Sequence, residues 1–156
     1  MILFPHMLAG ALIGSKFENL AIIFAAAVCL HFLLDIIPHW DYLENEISEF
    51  SKKGFSIFLG KVAIDIILGG FFVWLLFKDF PVPFRNIVWG AFFGILPDGL
   101  VFLNQISGKK INWLKKFQAF HHRLHFLLEA SKKVPLRTGL LLEILTVVIL
   151  LILIRL

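Results

Sequence analysis

The chain has 156 residues, enough for one domain, and 59% of them are hydrophobic, against roughly 45–50% in a soluble domain. With 18 Phe and a mean hydropathy of +0.87, it carries more apolar side chain than a soluble fold of this size can hide, which predicts an all-α, polytopic membrane protein. The net charge of +4 then marks cytoplasmic loops rather than a nucleic-acid partner, and the single Cys29 excludes a disulfide framework and a Cys-based metal site.

In chain order, the opening apolar run, 1–14, lacks a basic n-region and an Ala-x-Ala cleavage signal. It reads as a retained membrane segment, short, tilted or re-entrant. Four longer runs follow at 19–37, 57–77, 86–107 and 138–156, each with about the 20 residues needed to cross ~30 Å of hydrocarbon. The connections are polar. Residues 15–18 form a tight turn, 41–53 begin acidic and end basic, 78–85 hold two prolines, and 108–116 and 131–137 are rich in cations.

Segment 113–130 is too charged to span. Trp113, Leu114, Phe117, Phe120, Leu124, Phe126 and Leu127 recur at helical spacing, which predicts an amphipathic helix at the membrane surface or in the bundle mouth. Placing the basic loops inside gives about five spanning helices plus this interfacial helix, in the plasma (inner) membrane. Gly10/Gly14 and Gly90/Gly94 form two Gly-x-x-x-Gly pairs that let helix backbones approach closely, either within the chain or in a homodimer.

The segment "HFLLDIIPHWD" sets His31, Asp35, His39 and Asp41 at the end of an apolar run. Steps of four advance only about 40° around a helix, so the first three share a face until Pro38 interrupts it. An ionisable side chain in hydrocarbon costs roughly 2.5–3.5 kcal/mol on insertion scales, and a divalent cation bound by imidazole and carboxylate recovers that cost. In "FHHRLHF", His121 and His125 are spaced i, i+4 and His122 and His125 i, i+3, so either pair can close on one metal. Arg123 points elsewhere and suits a phosphate. His6, Asp65, Asp98 and Glu143 complete a set of polar residues that falls toward the cytoplasmic ends of the predicted helices. A transporter more often places such residues at the midplane.

These elements resemble the inner-membrane metal-dependent hydrolase family. The likeness rests on an early His before a Gly-containing helix (His6, Gly10, Gly14), the Pro-x-x-Asp from Pro38 to Asp41, and the His-Arg-x-His of His122, Arg123 and His125. That family shows Pro-Asp-x-Asp-His followed by His-Arg-Gly-x-x-His. Asp41 matches the second Asp, whereas His39 replaces the first, Tyr42 replaces the motif His, and the second element is shorter, with His121 added. His31, Asp35 and His39 also look like the zinc-binding His-x-x-x-Asp segment of zinc-dependent phospholipase C and related nucleases, two residues short before the last His.

The resemblance implies a membrane-embedded zinc site, of one or two ions, and hydrolase chemistry. The expected ligands are His31, Asp35, His39, His121 and His125, with His6, Asp41, Asp98 and His122 as further candidates. Asp65 or Glu143 would serve as general base or orient a His. The substrate expected is a phosphoester of a lipid or headgroup-like molecule, reached from the cytoplasmic face. Transport of metal or protons, and a scaffold with a structural metal, are the competing functions.

Overall fold

The computed structural model describes residues 3–37, 39, 52–125 and 135–156. The described residues form six helices and no strand: α1 (Leu3–Lys16), α2 (Leu20–Asp35), α3 (Lys52–Phe77), α4 (Phe84–Ile106), α5 (Asn112–His125) and α6 (Leu136–Arg155). Turn chemistry sets several of the boundaries. The side chain of Asn19 accepts from the amides of Ala21 (2.9 Å) and Ile22 (3.3 Å) and caps the N-terminus of α2. Pro83 and Pro135, which lack an amide to leave unsatisfied, precede α4 and α6. Asn19→Ala is expected to cost about 1 kcal/mol, read as a lower unfolding midpoint in detergent.

Among the described residues three helices, not five, are long and apolar enough to cross a membrane: residues Phe55–Phe77 of α3, Phe84–Ile106 of α4 and Arg137–Arg155 of α6. The expectation of five spans fails at the first two apolar runs. α2 stops at Asp35, three residues before Pro38, and its 16 residues reach only ~24 Å at 1.5 Å each. α1 has 14 residues. Its apolarity has another source, because Leu8 and Ala11 are fully buried and most of its length is enclosed by other helices. It is the core of the bundle. By contrast α3 and α6 turn residues such as Ile64, Ile67, Leu141 and Ile144 outward, and lipid is the solvent such surfaces require.

The crossing of α1 and α4 organises the rest. A Cβ on Gly10 would overlap the carbonyl of Gly90, one on Gly14 the carbonyl of Asn86, one on Gly90 the carbonyl of Gly10, and one on Gly94 the carbonyl of His6. The paired numbers rise on one helix as they fall on the other, so the helices run antiparallel. The two Gly-x-x-x-Gly faces therefore pack on each other within one chain. This contact pairs residues 86–94, the N-terminal half of α4, with residues 6–14 of α1, and sets Gly94 beside His6. α2 reverses direction after α1 through the short turn at 17–19, which returns its C-terminal end to the same level.

Candidate metal centre

The folding pattern brings His31 and Asp35 of α2, Asp98 of α4 and His121 of α5 to one point. One ligand atom from each lies within 4.8 Å of all the others, and all four residues are buried. His31 Nε2 is 3.0 Å from Asp35 Oδ2, 3.2 Å from His121 Nε2 and 3.9 Å from Asp98 Oδ1. His121 Nε2 is 3.3 Å from both Asp35 Oδ2 and Asp98 Oδ1. A tetrahedral zinc site with bonds of ~2.0–2.1 Å has donor–donor edges of about 3.3 Å. Four of these five separations lie close to that edge, so the group could hold a metal ion.

Proton accounting points the same way. His31 Nδ1 lies 2.8 Å from the Gly94 carbonyl, which can only accept, so Nδ1 carries a proton. In the neutral ring Nε2 then presents its lone pair, yet it faces a carboxylate oxygen and a second imidazole nitrogen. Protonating one imidazole supplies a donor to Asp35, whereas protonating both would direct two N–H groups at each other across 3.2 Å. A divalent cation satisfies all four donors at once, and two neutral imidazoles with two carboxylates leave the assembly uncharged.

The surroundings hold these donors in place, as the outer partners of metal ligands do. His6, fully buried in α1, sets Nε2 3.2 Å from Asp35 Oδ1 and lies with its ring centroid 4.2 Å from that of His31. Gly94 has two roles: its missing side chain admits α1, and its carbonyl fixes the tautomer of His31. Pro97, inside α4, removes an amide from the helical ladder beside it. α5 is tied to α4 by a relay in which Asn104 Nδ2 donates to Gln118 Oε1 (2.6 Å) and the Gln118 amide lies 3.1 Å from His122 Nε2. His121, the residue before His122, faces inward. Phe32 packs its ring against Phe120 and His121 on the same side.

The remaining sequence-predicted residues are placed differently. His122 spends Nε2 on Gln118, and His39 Nδ1 lies 2.6 Å from the Ile37 carbonyl. Arg123 is exposed on the outward face of α5. Asp65 Oδ2 accepts the Leu3 amide at 2.6 Å, so a carboxylate sits on the positive end of α1. Glu143 is buried along an apolar groove of about 280 Å³ with Phe4, Pro5 and Leu140. Asp41 and the side chain of His125 lie outside the described residues.

Two participants had no signal in the sequence. The Gly94 carbonyl is a backbone group, and the Asn104–Gln118 bond joins two helices through residues that each read as ordinary polar positions. Asp98 ranked only as a further candidate because a lone Asp after a proline in a spanning helix also suits structural pairing. No protein-family model, no curated protein and no solved structure matches the chain.

Proposed function

We propose that this protein is a membrane-embedded, zinc-dependent hydrolase acting on a phosphoester of a lipid or headgroup-like molecule, with its site toward the cytoplasmic face of the plasma membrane. The carrying observation is the convergence of two imidazoles and two carboxylates from three helices at ligand-shell spacing. A divalent ion held there would supply Lewis acidity, drawing charge from a phosphoryl oxygen and making water ionisable near neutral pH. His31, Asp35 and His121, whose side chains are 0%, 1% and 5% exposed, would hold the ion from inside. Asp98, at 10%, is the most accessible of the four. The cationic residues around α5 favour the cytoplasmic side for this end of the bundle.

A second reading is supported by the donor count. Four protein ligands fill a tetrahedral shell, as in structural zinc sites, and such an ion would simply bolt α2, α4 and α5 together.

One experiment separates the two. Protein purified without added metal is analysed for bound elements, and then assayed on a chromogenic phosphodiester with and without chelator. The hydrolase reading expects at least one divalent ion per chain and turnover that chelation removes and zinc restores, with His121→Ala inactive. A bound ion whose removal lowers the unfolding midpoint, with no phosphodiester cleavage at any stage, would establish the structural reading instead.

A further inference from the structure

We propose that the outward face of α5, with the turn preceding it, is a binding surface for anionic phospholipid headgroups. α4 is 23 residues long and reaches ~34 Å, so a helix that begins on one side of the hydrocarbon delivers its C-terminal end to the opposite interface. The chain there turns sharply. Gly108 and Lys109 both adopt positive φ, +64° and +57°, and their amides return to the carbonyls of Gln105 and Asn104. That conformation suits glycine and is uncommon for lysine. It throws Lys109 and Lys110 outward just where α4 ends, and both are exposed.

α5 continues the pattern. Its inner stripe is Leu114, fully buried, and His121, which belongs to the metal centre. Its outer face carries two parallel stripes. Lys116 and Arg123, seven residues apart, form a cationic one, flanked by exposed Lys115. Trp113 and Phe120, also seven apart and 56% and 51% exposed, form an aromatic one between the cations and the buried side. Cations beside half-exposed aromatics are the signature of a helix lying in the headgroup region. Five cations stand over residues 109–123, the sequence holds no carboxylate between Asp98 and Glu129, and none of the five makes an ion pair among the described residues. A surface this uniform in charge is complementary to anionic lipid. The aromatic stripe selects a membrane over a soluble acidic partner.

The test uses the full chain reconstituted in phosphatidylcholine bilayers, with spin-labelled phosphatidylglycerol and phosphatidylcholine as probes of the lipids held at the protein surface. The wild type is expected to retain phosphatidylglycerol several-fold over phosphatidylcholine, less so at high salt. Lys116→Gln combined with Arg123→Gln is expected to lower the ratio clearly while Lys109, Lys110 and Lys115 keep part of it, whereas Lys78→Gln, beyond the end of α3, leaves it unchanged. Absence of preference in the wild type, or a preference undiminished by the double substitution, would overturn the surface. Metal content is measured on the same samples. Both substituted residues are exposed and outside the donor set, so it is expected to stay at the wild-type value, which keeps the lipid surface and the metal centre separately testable.

Discussion

Asp35→Asn is expected to remove metal binding while leaving a helical, folded protein. Asp35 is the hub of the centre: its two carboxylate oxygens lie 3.0–3.3 Å from imidazole nitrogens of three histidines, His6, His31 and His121, carried by three different helices. The asparagine has the same shape and can still hydrogen-bond, but it lacks the charge that balances a divalent ion. Loss of an outer partner of a metal ligand typically costs 10–100-fold in affinity, so loss of a ligand charge should cost more than about 100-fold. His6→Ala, which removes a partner of Asp35 rather than one of the four clustered donors, should fall within the 10–100-fold range.

The measurements are zinc stoichiometry and the zinc dependence of the unfolding midpoint. A ligand at a thousand times its Kd adds about 4 kcal/mol to the stability of a fold that alone binds it. The wild type should therefore gain stability on adding zinc, His6→Ala should need more zinc for the same gain, and Asp35→Asn should show none. A wild type indifferent to both zinc and chelator would mean that the cluster is held by protons alone. His31 and His121 would then share the buried charge of Asp35 and Asp98 without a metal.

Much of this centre was legible in the sequence, because its core is a helical spacing. His31 and Asp35 are four apart on an apolar helix, and a polar pair with that spacing faces one neighbour whatever the tertiary fold. His121 was reached through its i, i+4 spacing to His125, whose side chain lies outside the described residues. The selection among nearby histidines was not legible, since it depends on local partners. The carbonyl of Ile37 lies two residues before His39, and Gln118 lies one turn before His122, so each histidine meets a polar partner outside the cluster. Asp65 looked like a candidate base because an acid eight residues into a predicted span demands an explanation. It takes the amide of Leu3, and a helix N-terminus is a partner that no pattern within α3 could announce.

The span count shows a limit of a different kind. Hydropathy reports that a segment avoids water, but it does not distinguish lipid from protein as the alternative. α1 is apolar because α2, α3, α4 and α6 surround it, whereas α3 is apolar because much of its surface faces outward. Length separates the cases: 14 and 16 residues fall short of the hydrocarbon thickness, and 23 do not. Burial of α1 also explains why an imidazole as enclosed as His6 is tolerated, since its ring meets Asp35 and His31 rather than lipid.

That central position makes the glycine crossing the most sensitive part of the structure. Gly90→Ala is expected to destabilise the protein by a few kcal/mol and to lower its zinc content together with its stability. The new methyl group would meet the backbone carbonyl of Gly10, an atom fixed in the middle of a helix that cannot rotate away as a side chain would. Overpacking a well-fitted contact costs about 1–3 kcal/mol, and here the only relief is to move two helices apart. Separation carries Gly94 and Asp98 away from α1. The carbonyl that fixes His31 and one of the four donors then move with it, so packing and metal binding should fail as one.

Gly60→Ala and Gly70→Ala provide the contrast. A Cβ at either position meets nothing within 4 Å, and alanine is favoured over glycine inside a helix by about 0.5–1 kcal/mol. Those variants should be unchanged or slightly more stable, with full zinc content. Unfolding midpoints and elemental analysis of the three variants side by side test the arrangement. A Gly90→Ala protein as stable and as metal-loaded as Gly60→Ala would show that α1 and α4 do not cross through their glycines, and the placement of Asp98 beside His31 would fall with that crossing.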